Sequence, residues 1–312
     1  MIYIVAVIAV FAVIWFVAGC TAFSMGFSRK PVRIAFLDKK APGSSQWEEW
    51  RESINTEIEK IKKMHTEEWE ITSFDGLKLR GTFIPHHDPK RTILCIHGYR
   101  SSGFFDFSMA VEYFLKNNCN LLIIDQRAHG RSEGNTITFG VNERYDVRDW
   151  AWYLAGRTEN KLPIYFDGVS MGCATALMAS SLELPTAVKG IIADCGYTSC
   201  HDIMKKVISE DYKIPLWLVF PVMNMIFRFV TGHFMNEIDT RRELANNTLA
   251  VLFAHGESDD FVPHEMTLEN HKACTSQKYL HIAQGAQHGM SFIVCPEEYK
   301  TYLMQMFEYC EK

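Results

Sequence analysis

The chain reads as an α/β fold. Three observations carry that reading: short apolar runs resembling buried strands recur at 92–96, 163–167, 249–254 and 278–283; each runs into a loop of small or polar residues; and one passes through Gly168-Val169-Ser170-Met171-Gly172 straight into the helix-forming stretch Cys173 to Ala179. A serine between glycines at a strand-to-helix turn is lifted out of the sheet by a strained backbone. The glycines are needed because strand and helix nearly touch there.

From the N-terminus, Met1 to Ser28 holds no charged side chain and Ile2 through Ala18 is an unbroken apolar run. That is near the length a helix needs to cross a bilayer, so a transmembrane helix is expected over 1–28. A buried core helix and a cleaved signal peptide are the alternatives; signal peptides begin with basic residues, and none precede this run. Arg29, Lys30, Arg33, Lys39 and Lys40 follow against a single acid, Asp38. This bias favours an N-terminus outside and the main domain on the cytoplasmic face. Val17-Ala18-Gly19-Cys20 resembles a lipobox, and lipidation of Cys20 would instead leave the domain outside.

Residues 29–68 are expected to form a juxtamembrane linker and an amphipathic helix, since Trp47, Trp50, Ile54, Ile58 and Ile61 fall at helical spacing after Ser45. The apolar face is expected to dock on the main domain, 69–312. Glu67 to Ile84 alternates around Asp75-Gly76 and reads as a hairpin. More than fifty residues separate the run ending near Asp194 from the one starting near Leu249, an insertion expected to form a helical cap at about 197–247. Its centre, Ile214 to Phe227, is apolar but contains Pro215 and Pro221. A second membrane span there would cut the sheet off from its last strands, so a cap helix is expected. Its Met and aromatic content suits acyl chains or aromatic acids, or packs the cap onto the domain.

Ser170 is a poor nucleophile unless a base takes its proton and a third group orients the base. His288, in Gln287-His288-Gly289 after the 278–283 run, is the candidate base. Asp259, three residues beyond Gly256, is the candidate orienting acid. The loop His97-Gly98-Tyr99-Arg100-Ser101-Ser102-Gly103 can supply an oxyanion donor, assigned to the backbone N–H of Tyr99 alongside that of Met171. His97 is expected to shape this loop.

Together His97-Gly98, Asp125 to Ser132, Gly168 to Gly172, Gly256 to Pro263 and Gln287-His288-Gly289 resemble, in order, the motifs of the α/β-hydrolases. The order Ser, Asp, His is that family's order. The resemblance covers roughly residues 70 to 312. More narrowly, the chain is similar to bacterial membrane-anchored hydrolases grouped with the serine aminopeptidase and prolyl oligopeptidase-like branches. It implies a mostly parallel central sheet flanked by helices and hydrolysis through an acyl-enzyme, without identifying the acyl group. A hydrophobic carboxylic ester is the leading expectation. A serine peptidase of aminopeptidase type, an acyl-thioesterase, and a noncatalytic sensor or membrane scaffold are the alternatives.

Asp194 follows a strand at a position where some members carry the triad acid, and Asp260 adjoins Asp259. Asp125 and His129 are expected to hold a tight turn. His86 and His87 are expected to be exposed, and His201, His233, His264, His271 and His281 to serve surface or packing roles. The net charge of −5 gives no reason to expect nucleic-acid binding. Nine cysteines, several beside apolar runs and none in a CxxC pair, argue against a disulfide framework. Neither a metal nor a cofactor is expected.

Overall fold

Eight strands make one sheet: β1 (Glu67–Thr72), β2 (Lys78–Ile84), β3 (Arg91–Ile96), β4 (Cys119–Asp125), β5 (Ile164–Val169), β6 (Val188–Asp194), β7 (Ala250–Gly256) and β8 (Lys278–Ala283). This computed structural model describes residues 2–30 and 44–312. Arg33, Asp38, Lys39, Lys40 and Ala41-Pro42-Gly43 lie outside the described residues. The strand order is β1-β2-β4-β3-β5-β6-β7-β8. β1 pairs antiparallel with β2 and β2 with β4, while every later pair is parallel. The hairpin turn between β1 and β2 is closed by Ser73 N–H to the Leu77 carbonyl at 2.8 Å.

The central parallel strands are mostly apolar because helices cover both faces. Leu94, Ile96, Phe166, Ile191 and Phe253 face one layer with Trp150 and Leu154 of α4 (Glu143–Arg157) and Leu177 of α5 (Met171–Ala179). Ile93, Cys95, Tyr165, Ile192 and Leu252 alternate to the other face. There they meet Phe107 and Phe114 of α3 (Gly103–Lys116) and Leu303 and Phe307 of α11 (Pro296–Cys310). The two-residue period thus splits each central strand between two cores. α9 (His264–Ala273) and the short α10 (Ser291–Val294) follow β7 and β8.

Helix α2 (Ser44–Ile61) docks on the domain as its spacing predicts, burying Trp47, Ile54 and Ile61. Trp47 stacks on Phe105 with centroids 4.8 Å apart. The insertion after β6 folds as α6 (Cys200–Lys206), a π-helical turn (Val207–Asp211), α7 (Leu216–Thr231) and α8 (Thr240–Leu244), helical as expected.

Helix α1 (Ile2–Phe27) has 26 residues, about 39 Å of helix at about 1.5 Å per residue. Its first half is exposed, but Gly19, Phe23 and Phe27 are buried against α7 and the loop after β4. A Cβ on Gly19 would lie 2.3 Å from Val222 Cβ, so only glycine allows the helices this approach. The Phe27 ring meets Phe139 and Phe227 edge-on, with centroids 5.1 and 5.5 Å away. Beyond the helix, Arg29 donates to the carbonyls of Gly130 and Ser132, both at 2.7 Å. Residue 28 is therefore not a break in packing: the last turns of the apolar segment form part of the domain.

Candidate active site

β5 ends in the sharp turn expected from its glycines. Ser170 has φ 56° and ψ −114°, a conformation rare for a residue with a side chain and worth about 1–3 kcal/mol of strain. The surroundings impose it: a Cβ on Gly168 would lie 2.4 Å from the Gly172 carbonyl oxygen, and one on Gly172 only 1.8 Å from that of Ile96. Strand and helix touch backbone to backbone, and the serine side chain projects from the bend.

Ser170 Oγ lies 2.9 Å from His288 Nε2, and His288 Nδ1 lies 2.6 Å from Asp259 Oδ2. The three come from the ends of β5, β7 and β8, at the carboxyl edge of the sheet where open α/β sheets bind ligands. All three are largely buried; Ser170 is 6% exposed and His288 1%. Burial opposes ionisation of Asp259, but the neighbouring His288 and a hydrogen bond from His255 prevail and hold its carboxyl well below the usual carboxylate range. An ionised Asp259 makes Nδ1 of His288 the donor, leaving the Nε2 lone pair to accept the serine proton.

Asp259 is also fixed from behind. Its Oδ1 accepts the backbone N–H groups of Phe261 and Val262, each at 2.9 Å. His255 places Nε2 3.0 Å from Asp259 Oδ2 and 2.9 Å from the Val262 carbonyl oxygen. A carbonyl needs a donor, so Nε2 of His255 carries the proton. Asp194, the alternative acid, is engaged elsewhere, accepting the Ser291 hydroxyl at 2.9 Å. Burial pushes its pKa up.

The loop after β3 lies beside Ser170: a Cβ on Gly98 would sit 3.4 Å from Ser170 Cβ. Gly98 N–H is taken by Asp106 Oδ2 at 2.7 Å, and Asp106 Oδ1 accepts the Ser101 hydroxyl at 2.5 Å. Among the described residues the backbone N–H groups of Tyr99 and Met171 donate to no protein acceptor, which leaves them available to an oxyanion. His97 shapes the loop as expected: Nε2 accepts Gln126 N–H at 3.1 Å and Nδ1 meets the Gly98 carbonyl at 2.7 Å. His129 Nδ1 donates to the Arg127 carbonyl, and its Nε2 accepts Arg100 N–H, each at 2.9 Å. Asp125 accepts from Arg131, closing the next turn.

Three contacts had no sequence signal. Trp47 Nε1 donates to the His288 carbonyl at 2.9 Å, tying α2 to the base. The Tyr99 hydroxyl donates to the Gly26 carbonyl at 2.6 Å, and the Arg100 guanidinium reaches Met25 and Ser28 carbonyls, so the end of α1 braces the same loop. His255 is the third; its position directly before Gly256 marks it only in hindsight. Cys195, Asp259 and His288 offer ligand atoms within 4.8 Å of one another. Asp259 and His288 already bond each other, and burial pushes the Cys195 thiol well up, so the trio is poorly suited to a metal ion.

Known proteins agree with this architecture. A family model described as serine aminopeptidase, S33, matches residues 87–220, which include Ser170. The chain is 25% identical over 251 residues to the uncharacterized protein YqkD of Bacillus subtilis, covering 80% of this chain and 82% of that protein. The Pyrococcus furiosus esterase Pf2001 superposes with a TM-score of 0.64 at 24% identity, covering 81% of this chain and 95% of the esterase. The Pyrococcus horikoshii acylaminoacyl peptidase gives 0.59 at 16% identity, covering 82% of this chain and 43% of the peptidase. With its eight-stranded, mostly parallel sheet and a serine at the sharp turn after β5, the chain has the α/β-hydrolase fold.

Proposed function

We propose that this protein is a membrane-anchored serine hydrolase that cleaves a hydrophobic carboxylic ester through Ser170, His288 and Asp259. The observation that carries the reading is the unbroken relay from Ser170 Oγ through His288 to an ionised Asp259. As Ser170 attacks the substrate carbonyl carbon, its proton passes to His288 Nε2, and the carbonyl oxygen gains negative charge facing the Tyr99 and Met171 N–H groups. Collapse expels the alcohol, which takes the proton from His288. Water then repeats the attack on the acyl-serine and regenerates the enzyme.

The ester preference rests on the buried apolar cluster that Met171 shares with Tyr197, Met204, Val219 and Met223 of the cap region. The esterase with a similar fold adds to it. A peptidase reading is favoured by the serine aminopeptidase match, and it predicts cleavage of aminoacyl anilides in place of p-nitrophenyl acyl esters. Anchoring rests on α1, whose most apolar window has a mean hydropathy of 2.7 and is 6% buried. Arg29 and Lys30 directly after it favour a cytoplasmic domain. Intact-mass analysis after fluorophosphonate treatment tests the central claim. A single adduct, absent from folded Ser170→Ala, is expected; an adduct retained in that variant, or none in the native chain, overturns the reading.

A further inference from the structure

Helix α7 is apolar on two sides. Val219, Val222, Met223 and Phe227 are buried against α1 and the cap core. Trp217, Pro221, Met225 and Phe229, spaced four apart, form a second stripe facing outward. Trp217 is 71% exposed, Met225 59% and Phe229 85%. Arg228 is the one charged residue within this helix, and Lys213 stands exposed just before it. A surface helix of a soluble domain turns a polar face to water, and one with apolar residues on both sides needs a second apolar neighbour.

The neighbour is indicated by α1. Its segment from Gly19 to Phe27 packs along α7, and Ala18 shares a cluster with Leu216 and Leu218 at the start of α7. With Gly19 beside Val222 and Phe27 beside Phe227 the two helices run the same way, so Trp217 lies on the side where α1 leaves the domain and its exposed apolar run begins. We propose that the Trp217 end of the outward stripe of α7 is a bilayer-contacting surface, entering the interfacial layer beside α1 and seating the cap region on the membrane. At 16 residues, about 24 Å, α7 is too short to span and is held to the domain along its other side. Because α7 runs alongside α1, its Trp217 end is the part that enters the interfacial layer, with Trp217 at headgroup depth and the exposed Lys213 charge beside it reaching anionic lipid phosphates.

This surface rests on the proposed anchoring by α1, and the two are separable because each segment carries its own tryptophan, Trp15 and Trp217. The full-length chain is reconstituted in vesicles of phosphatidylcholine and phosphatidylglycerol containing phosphatidylcholine brominated on its acyl chains, and tryptophan quenching is compared for native protein, Trp15→Phe and Trp217→Phe. Each substitution is expected to remove its own share of the quenching. The Trp217 share is expected to be greatest when bromine lies at the headgroup end of the chain. Loss with Trp15→Phe but none with Trp217→Phe overturns the α7 surface and leaves the anchor standing. No change with either overturns both. Because the Trp217 side chain is mostly exposed, its replacement leaves the packed face of α7 intact.

Discussion

The hydroxyl of Tyr99 ends on the carbonyl of Gly26, 2.6 Å away, so the loop whose N–H faces the proposed oxyanion is tied to the last turn of the apolar helix. Arg100 repeats the tie at Met25 and Ser28. Removing residues 1–28 deletes both anchoring points. Because that truncation also strips Phe23 and Phe27 from the core, side-chain variants make the test: Tyr99→Phe with Arg100→Ala is expected to lose roughly 10-fold in kcat and Tyr99→Phe alone a few-fold, in line with about 1 kcal/mol per hydrogen bond. Steady-state ester hydrolysis by the three proteins checks this, and equal kcat values would show that the loop holds itself.

Asp259→Asn removes the charge that makes His288 Nδ1 a donor. Turnover is expected to fall by about 10⁴-fold, the scale of a wrong imidazole tautomer. Asp194→Asn, whose carboxyl meets Ser291 in place of His288, is expected to cost under about 10-fold. The reversed ranking would reassign the acid.

His129 provides a pH handle. Burial, reinforced by neighbouring His97, pushes its pKa from 6.5 down to about 3. Between these values the unfolded chain holds a proton that the folded chain lacks, so stability is full above about pH 6.5 and is lost as the pH falls towards about 3. The scale is a few kcal/mol at about 1.4 kcal/mol per unit. Protonation also destroys the acceptor for Arg100 N–H. Urea melts at about pH 4.5 and about pH 7.5 should differ less for His129→Gln than for the native protein.

Gly172→Ala forces a Cβ into the Ile96 carbonyl at the strand contact beneath Ser170. The expected result is a loss of several kcal/mol or failure to accumulate as folded protein, because both colliding groups are backbone. A soluble variant with native thermal stability would contradict the tight crossing of β5, α5 and β3.

The proposed nucleophile, base and acid were legible because each sits in a short local pattern, with glycines beside Ser170 and His288 and Gly256 before Asp259. The helical insertion after β6 was legible from its apolar centre, and α2 as a helix from the spacing of Trp47, Ile54 and Ile61. What escaped were contacts between distant segments. Helical spacing shows that Trp47 lies on an apolar face but not that its N–H meets the His288 carbonyl. An unbroken apolar run likewise cannot tell which part of α1 is exposed and which lies on Val222 and Phe227. His255 carries no local signal because its partners, Asp259 and Val262, converge only through the loop after β7.

The close meeting of Gly19 with Val222 also imposes a timetable. The two are about two hundred residues apart, so at about 5–20 residues per second α1 leaves the ribosome roughly 10 to 40 s before its packing partner exists. The apolar helix spends that interval without its α7 partner, and His288 is made later still. If α1 anchors the chain as proposed, a nascent chain is tethered before the proposed relay of Ser170, Asp259 and His288 is complete.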